Sequence, residues 1–246
     1  MAKFSQNPTS FDILKTIATF TLIFNHFGFF FYDNIEIFKV MGSLGYLLFI
    51  FCYGYNRKYH FDAMLFSLTA LMIMNRFIMD PELFQISNIS EYSILISIIF
   101  VQIFMYFFAP KINEENVFLW LLLLEILVIP TQSIFQYGTE GIVICICGYI
   151  CATLGKNSKT HHWLLATALA FYAIFILLDN NFSFIALGLL TVMFIALWKV
   201  LAKFDTYLVN VPGEIILFVS KYSLLIFYIH YELFLIFHWA FPRIEI

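Results

Sequence analysis

Charge is what this sequence has least of. Asp, Glu, Lys and Arg make up only 12% of 246 residues, against 62% hydrophobic and 20% aromatic, and no soluble domain of this size needs so much apolar surface. A basic surplus is missing as well: 13 Lys and Arg against 16 Asp and Glu leave a net charge of -3, which gives no support to nucleic-acid binding. Cysteine is rare, and Cys52, Cys145, Cys147 and Cys151 all fall inside apolar runs. They read as small buried residues rather than a disulfide framework or a metal-ligand set, and no metal site is expected. Repeats and low-complexity tracts are lacking. The first apolar run is longer than a signal core and no small-residue cleavage site follows it, so it is expected to stay as the first helix.

What is present is hydrocarbon-matched length. Mean hydropathy is +0.89, and with about 20 apolar residues needed per crossing the chain has room for about eight to ten crossings. Runs bounded by polar clusters predict nine helices: Asp12 to Tyr32, Val40 to Tyr55, Asp62 to Met79, Tyr92 to Ala109, Val117 to Ser133, Gly138 to Leu154, Trp163 to Leu178, Phe182 to Val200 and Tyr222 to Phe241. The fold class is therefore all-α, a polytopic membrane bundle of about nine transmembrane helices forming a single domain over residues 1–246. The segment Asp205 to Ser220 is too polar to span and is expected along the interface.

Basic residues near helix ends favour the cytoplasmic side. With the N-terminus inside, Lys3, Lys15, Arg57, Lys58, Lys111, Lys156, Lys159, Lys199, Lys203 and Lys221 fall inside, and Lys39, Arg76 and Arg243 fall outside. That is ten against three, and an even number of crossings would spoil the division.

Polar residues inside such segments carry the functional information. In "TLIFNHFGFFF" (21–31) an Asn-His pair interrupts an otherwise apolar run, and an imidazole in hydrocarbon must find a partner or stay neutral. On an ideal helix Asp12, Lys15, Thr19 and His26 lie within a sector of roughly 60°, with His26 roughly 21 Å from Asp12 along the axis. Either this stripe lines a polar cavity, or Asp12 caps the helix, Lys15 snorkels and His26 bonds a neighbouring carbonyl. "KYSLLIFYIHYELF" (221–234) repeats the pattern, carrying His230 to mid-membrane. Glu125 and Glu232 are possible partners for a histidine or simply protonated acids, and the sequence does not pair them. "QYGTEGIVICICGYI" (136–150) places Glu140 at a helix start among glycines, which also suits packing and capping. The basic inner loops, with Arg57, Lys58, Lys156 and Lys159, either hold a phosphorylated cytosolic cofactor or simply mark the cytoplasmic side.

Together, "FDILKTIATFTLIFNHFGFFF", "VMGSLGYLLFIFCYGY", "QYGTEGIVICICGYI" and "KYSLLIFYIHYELFLI" resemble, in order, segments of the TraX family of integral-membrane acetyltransferases, which modifies the pilin of conjugative pili and is distantly similar to larger membrane acyltransferase families. Three positions depart from that pattern: Asn25 replaces a usual Asp, Ser43 a usual Arg, and Tyr53 stands near an often acidic position. The resemblance implies a bacterial inner-membrane enzyme moving acetyl from acetyl-coenzyme A to an amine or hydroxyl acceptor, a pilin N-terminus or another envelope molecule. It implies His26 as general base with His230 and Asn25 beside it, Asp12, Lys15 and Glu140 in support, and Arg57, Lys58, Lys156 and Lys159 holding the cofactor. The competing expectation is a non-catalytic membrane protein, either an assembly subunit of a conjugation or secretion apparatus or a small transporter.

Overall fold

The computed structural model describes residues 7–32, 35–57, 62–79, 94–132, 138–155, 157–179, 183–211 and 213–240. Among these residues the regular structure is helical: α1 Ser10–Phe31, α2 Glu36–Asn56, α3 Ala63–Met79, α4 Ile94–Phe108 with a 3-10 turn Ala109–Lys111, α5 Val117–Ile126, α6 Val128–Gln132, α7 Glu140–Leu154, α8 Lys159–Asp179, α9 Phe184–Ala202, α10 Glu214–Lys221 and α11 Ser223–Ala240. Each of the nine apolar runs contains a helix.

Length qualifies the expectation of nine full crossings. Ser10–Phe31, Glu36–Asn56 and Phe184–Ala202 are long and apolar enough to cross a membrane; a fourth span results if the α10–α11 pair, bent by 79°, counts as one. The apolar helices α3, α4, α5 and α7 are shorter. α7 has 15 residues, about 22 Å at 1.5 Å per residue, against a hydrocarbon core of about 30 Å. The run expected from Val117 to Ser133 is split at Leu127, for a local reason: the Pro130 ring has no N–H to donate and crowds the carbonyl of Ile126, where α5 ends. The stretch expected along the interface contains α10.

The chain forms two compact units. The first comprises Met1–Cys52, Phe182–Thr191 and Asp205–Ile246, and the second comprises Tyr53–Asn181 and Val192–Phe204. In the first, α1 starts at a capping box. Thr9 Oγ accepts from the Asp12 N–H at 3.2 Å, while Asp12 Oδ2 accepts from the Thr9 N–H at 2.9 Å and its hydroxyl at 2.6 Å, which satisfies donors the helix start leaves orphaned. The same end is tied to the segment before α10, with the Ser10 N–H donating to Tyr207 O at 2.9 Å and the Val209 N–H to Pro8 O at 2.8 Å. From there α1 packs along α10 and α11. α2 approaches α1 closely because it is glycine at the crossing: a Cβ on Gly42 would collide with the Asn25 amide, and one on Gly45 with Thr21 and Leu22.

In the second unit α7 is the core. Every residue from Glu140 to Gly148 is buried, as expected of a helix that is apolar all round, and it packs against α4, α5 and α8. It ends at Gly155, whose φ of +80° suits a residue without Cβ and whose N–H donates to Cys151 O at 3.0 Å. All four cysteines are buried and none forms a disulfide. Large apolar side chains face outward, among them Phe184 at 92% and Ile185 at 86% exposure. Water does not tolerate such surface at this scale, whereas lipid does.

Candidate functional site

Within the first unit, α1 and α11 bring His26 and His230 into contact. His26 Nδ1 lies 2.9 Å from His230 Nε2, and the rings are stacked with centroids 5.1 Å apart and planes inclined by 19°. His230 Nδ1 in turn lies 3.0 Å from the carbonyl oxygen of Ile226, one turn earlier on α11.

This chain of contacts sets the tautomers. A carbonyl oxygen only accepts, so His230 Nδ1 carries a hydrogen and donates it. A neutral imidazole has one N–H, which leaves His230 Nε2 as an acceptor. His26 Nδ1 must therefore donate, and His26 Nε2 is left as a bare lone pair. No described residue donates to it. Such a nitrogen accepts a proton or attacks an electrophile. A proton accepted there also has a way onward, since the Nδ1 hydrogen can cross the 2.9 Å bond to His230 Nε2.

Aromatic rings hold the pair. Phe227 and Tyr231 meet His26 edge-on at 5.2 and 5.3 Å, and Phe227 and Phe234 meet His230 at 5.2 and 5.6 Å. His230 is 8% exposed and His26 is half-buried.

The remaining expected site residues are distributed as follows. Asp12 is on the stripe and is fully engaged, with Ser220 Oγ donating to Oδ1 at 2.7 Å and Thr9 on Oδ2. Lys15 is half-buried on the same face, and Thr19 donates to its carbonyl at 2.9 Å. The stripe is thus directed in good part at α10 and α11. Asn25 lies against Gly42 of α2, and no hydrogen bond joins it to His26. Ser43 donates to Lys39 O at 3.1 Å. Arg57, with a φ of +55° just past α2, and Lys159, at the start of α8, are both exposed; Lys58 and Lys156 lie outside the described residues. Glu140 is not part of the stripe on α1. It is fully buried in the second unit, where its electrostatic partner is Glu125.

One feature was expected and one went unseen. The neighbour of His26 is the His230 imidazole that the resemblance placed beside it, not either of the carboxylates, Glu125 and Glu232, that the sequence offered as partners for a histidine. Ser220 and Thr9, which occupy Asp12, are ordinary hydroxyls whose role appears only once α10 lies beside α1; the T-x-x-D spacing of Thr9 and Asp12 was the one available signal.

The class established by these observations is an all-helical chain with helices long and apolar enough to span a membrane. A Rickettsia prowazekii (strain Madrid E) protein, called uncharacterized by name, is 28% identical over 187 residues, covering 73% of each chain. No protein-family model matches the chain, and no solved structure does.

Proposed function

We propose that this chain is a membrane acyltransferase, TraX-like, of a bacterial inner membrane, transferring acetyl from acetyl-coenzyme A to an amine or hydroxyl acceptor such as a pilin N-terminus. The observation that carries the reading is the bare Nε2 of His26, held open by the hydrogen-bonded series His26–His230–Ile226 O. In this reaction the acceptor nitrogen or oxygen bonds to the thioester carbonyl carbon, the C–S bond breaks, and the acceptor gives up a proton. His26 Nε2 takes that proton, and its Nδ1 hydrogen moves to His230, spreading the charge over two rings and toward the Ile226 carbonyl. The departing thiolate recovers a proton from the same pair. Among the expected cofactor-binding cations, Arg57 and Lys159 are exposed and suited to phosphate groups. Nine crossings with a cytoplasmic N-terminus would accommodate a cytosolic donor, in keeping with the division of basic residues.

A transporter is the second reading, favoured by the 79° bend between α10 and α11 at Tyr222, about two turns before His230, since broken helices build transport sites. Incubating the purified protein with acetyl-coenzyme A and a candidate pilin peptide, and weighing the peptide, separates the two. A gain of one acetyl mass that is lost in His26→Ala supports transfer. An unchanged mass with the intact protein, across amine and hydroxyl acceptors, removes it.

A further inference from the structure

The second unit holds a group that the acyl-transfer reading leaves unused. Glu140, the first residue of α7, is 0% exposed, and neither of its carboxyl oxygens meets a donor from any described residue. Glu125, the penultimate residue of α5, has its Oε1 buried and likewise without a donor. The two carboxyl groups interact with each other. Among the described residues no cation contributes to the electrostatics of either side chain.

The pair is built, not incidental. Thr139, directly before Glu140, donates its hydroxyl to the carbonyl of Leu124, directly before Glu125, at 2.5 Å, and both residues are buried. That carbonyl also accepts from the Leu127 N–H at 3.1 Å, at the end of α5. The Thr139 N–H donates to Thr131 Oγ at 3.0 Å, fixing the same turn to α6. The first amides of α7 do not serve Glu140 either: the Ile142 and Val143 N–H groups both bond to Thr139 O, at 2.9 and 3.2 Å. Two carboxylates offer each other only lone pairs, so a contact between them in a dry interior is repulsive unless a proton lies on one. A single shared proton turns the contact into an O–H···O bond and removes one of two buried charges.

We propose that Glu125 and Glu140 form a proton-binding site, a carboxyl pair that holds one exchangeable proton, with Glu125, the less buried member, as its route to the surroundings. Carboxyls retained at membrane depth commonly serve proton movement. This site is independent of the acetyl-transfer reading and survives its failure.

N,N′-dicyclohexylcarbodiimide tests it, since this apolar reagent adds to protonated carboxylic acids and not to carboxylates. Full-length protein in detergent is treated across a pH series and its adducts are located by peptide mass. The expected result is modification of Glu125 or Glu140 that falls as pH is raised. Replacing one partner supplies a neutral amide donor that removes the need for the shared proton, so in Glu140→Gln labelling of Glu125 drops about tenfold at a given pH, as does labelling of Glu140 in Glu125→Gln. Should either variant fail to fold, the pH series on the unaltered chain decides alone. Three results overturn the proposal: neither residue labelled in the folded protein at any pH, labelling of one residue indifferent to replacement of the other, or protection by sodium at constant pH, which assigns the pair to a metal cation.

Discussion

The Ser220 hydroxyl donates to Asp12 Oδ1 at 2.7 Å across 208 residues of sequence, and fourteen residues further along α1, His26 meets His230. The C-terminal helices therefore grip the first helix at two levels roughly 21 Å apart, one polar contact at each. Between them Thr16 donates to Ile216 O at 3.2 Å. The lower grip aligns α1, and the upper one is where the chemistry lies.

Asp12→Ala removes the capping box and the Ser220 contact together, and each deletion of this kind costs about 1 kcal/mol or more. Thermal unfolding in detergent should show a clear drop in midpoint for Asp12→Ala and a smaller one for Ser220→Ala, which leaves the cap intact. Equal losses would mean that the cap contributes nothing.

The proposed nine crossings with the N-terminus inside would put the C-terminus in the periplasm, so a periplasm-dependent reporter fused after Ile246 should be active and a cytoplasm-dependent one silent. The opposite pattern would reduce the count to an even number and mix the basic residues across both sides.

How far the sequence carried can be argued from particular residues. The positions of α1, α7 and α11 were legible because long apolar runs bounded by polar residues have one economical solution in lipid. The break at Leu127 was visible only as Pro130, whose steric demand on Ile126 is local. Pairing was legible only in part. The resemblance placed His230 beside His26, while the residues alone offered Glu125 and Glu232 as partners for a histidine; the helix contacts gave His26 the imidazole and Glu125 a second carboxyl. Contacts between helices depend on rotation about each axis, and runs as uniformly apolar as α5 and α7 carry too little periodicity to specify it.

Gly42 is predicted to be irreplaceable while Asn25 is present. A methyl group there runs into the Asn25 amide, and overpacking of this sort costs about 1 to 3 kcal/mol. Gly42→Ala should lower the unfolding midpoint. Adding Asn25→Ala removes the obstacle, so the double variant should be more stable than Gly42→Ala alone. If the second change only deepens the loss, the two residues do not share the space between α1 and α2.

The tautomer of His26 can be read without knowing any substrate. In protein labelled with nitrogen-15 at histidine, His26 should show a protonated Nδ1 and an unprotonated Nε2, and His230 the same, because the series ends on the Ile226 carbonyl, which accepts from His230 Nδ1 at 3.0 Å. His230→Gln can still place a carbonyl oxygen near His26 Nδ1, so it should keep the His26 tautomer and part of any transferase activity. His230→Ala cannot, and should mix the tautomers and cost more activity. His26→Ala loses the base itself, worth about 10² to 10⁴ in rate, without loss of insertion or abundance, since the side chain is proposed for proton transfer. A proton found on His26 Nε2 in the unaltered protein would reverse the hydrogen-bond direction and remove the open nitrogen on which the proposed base depends.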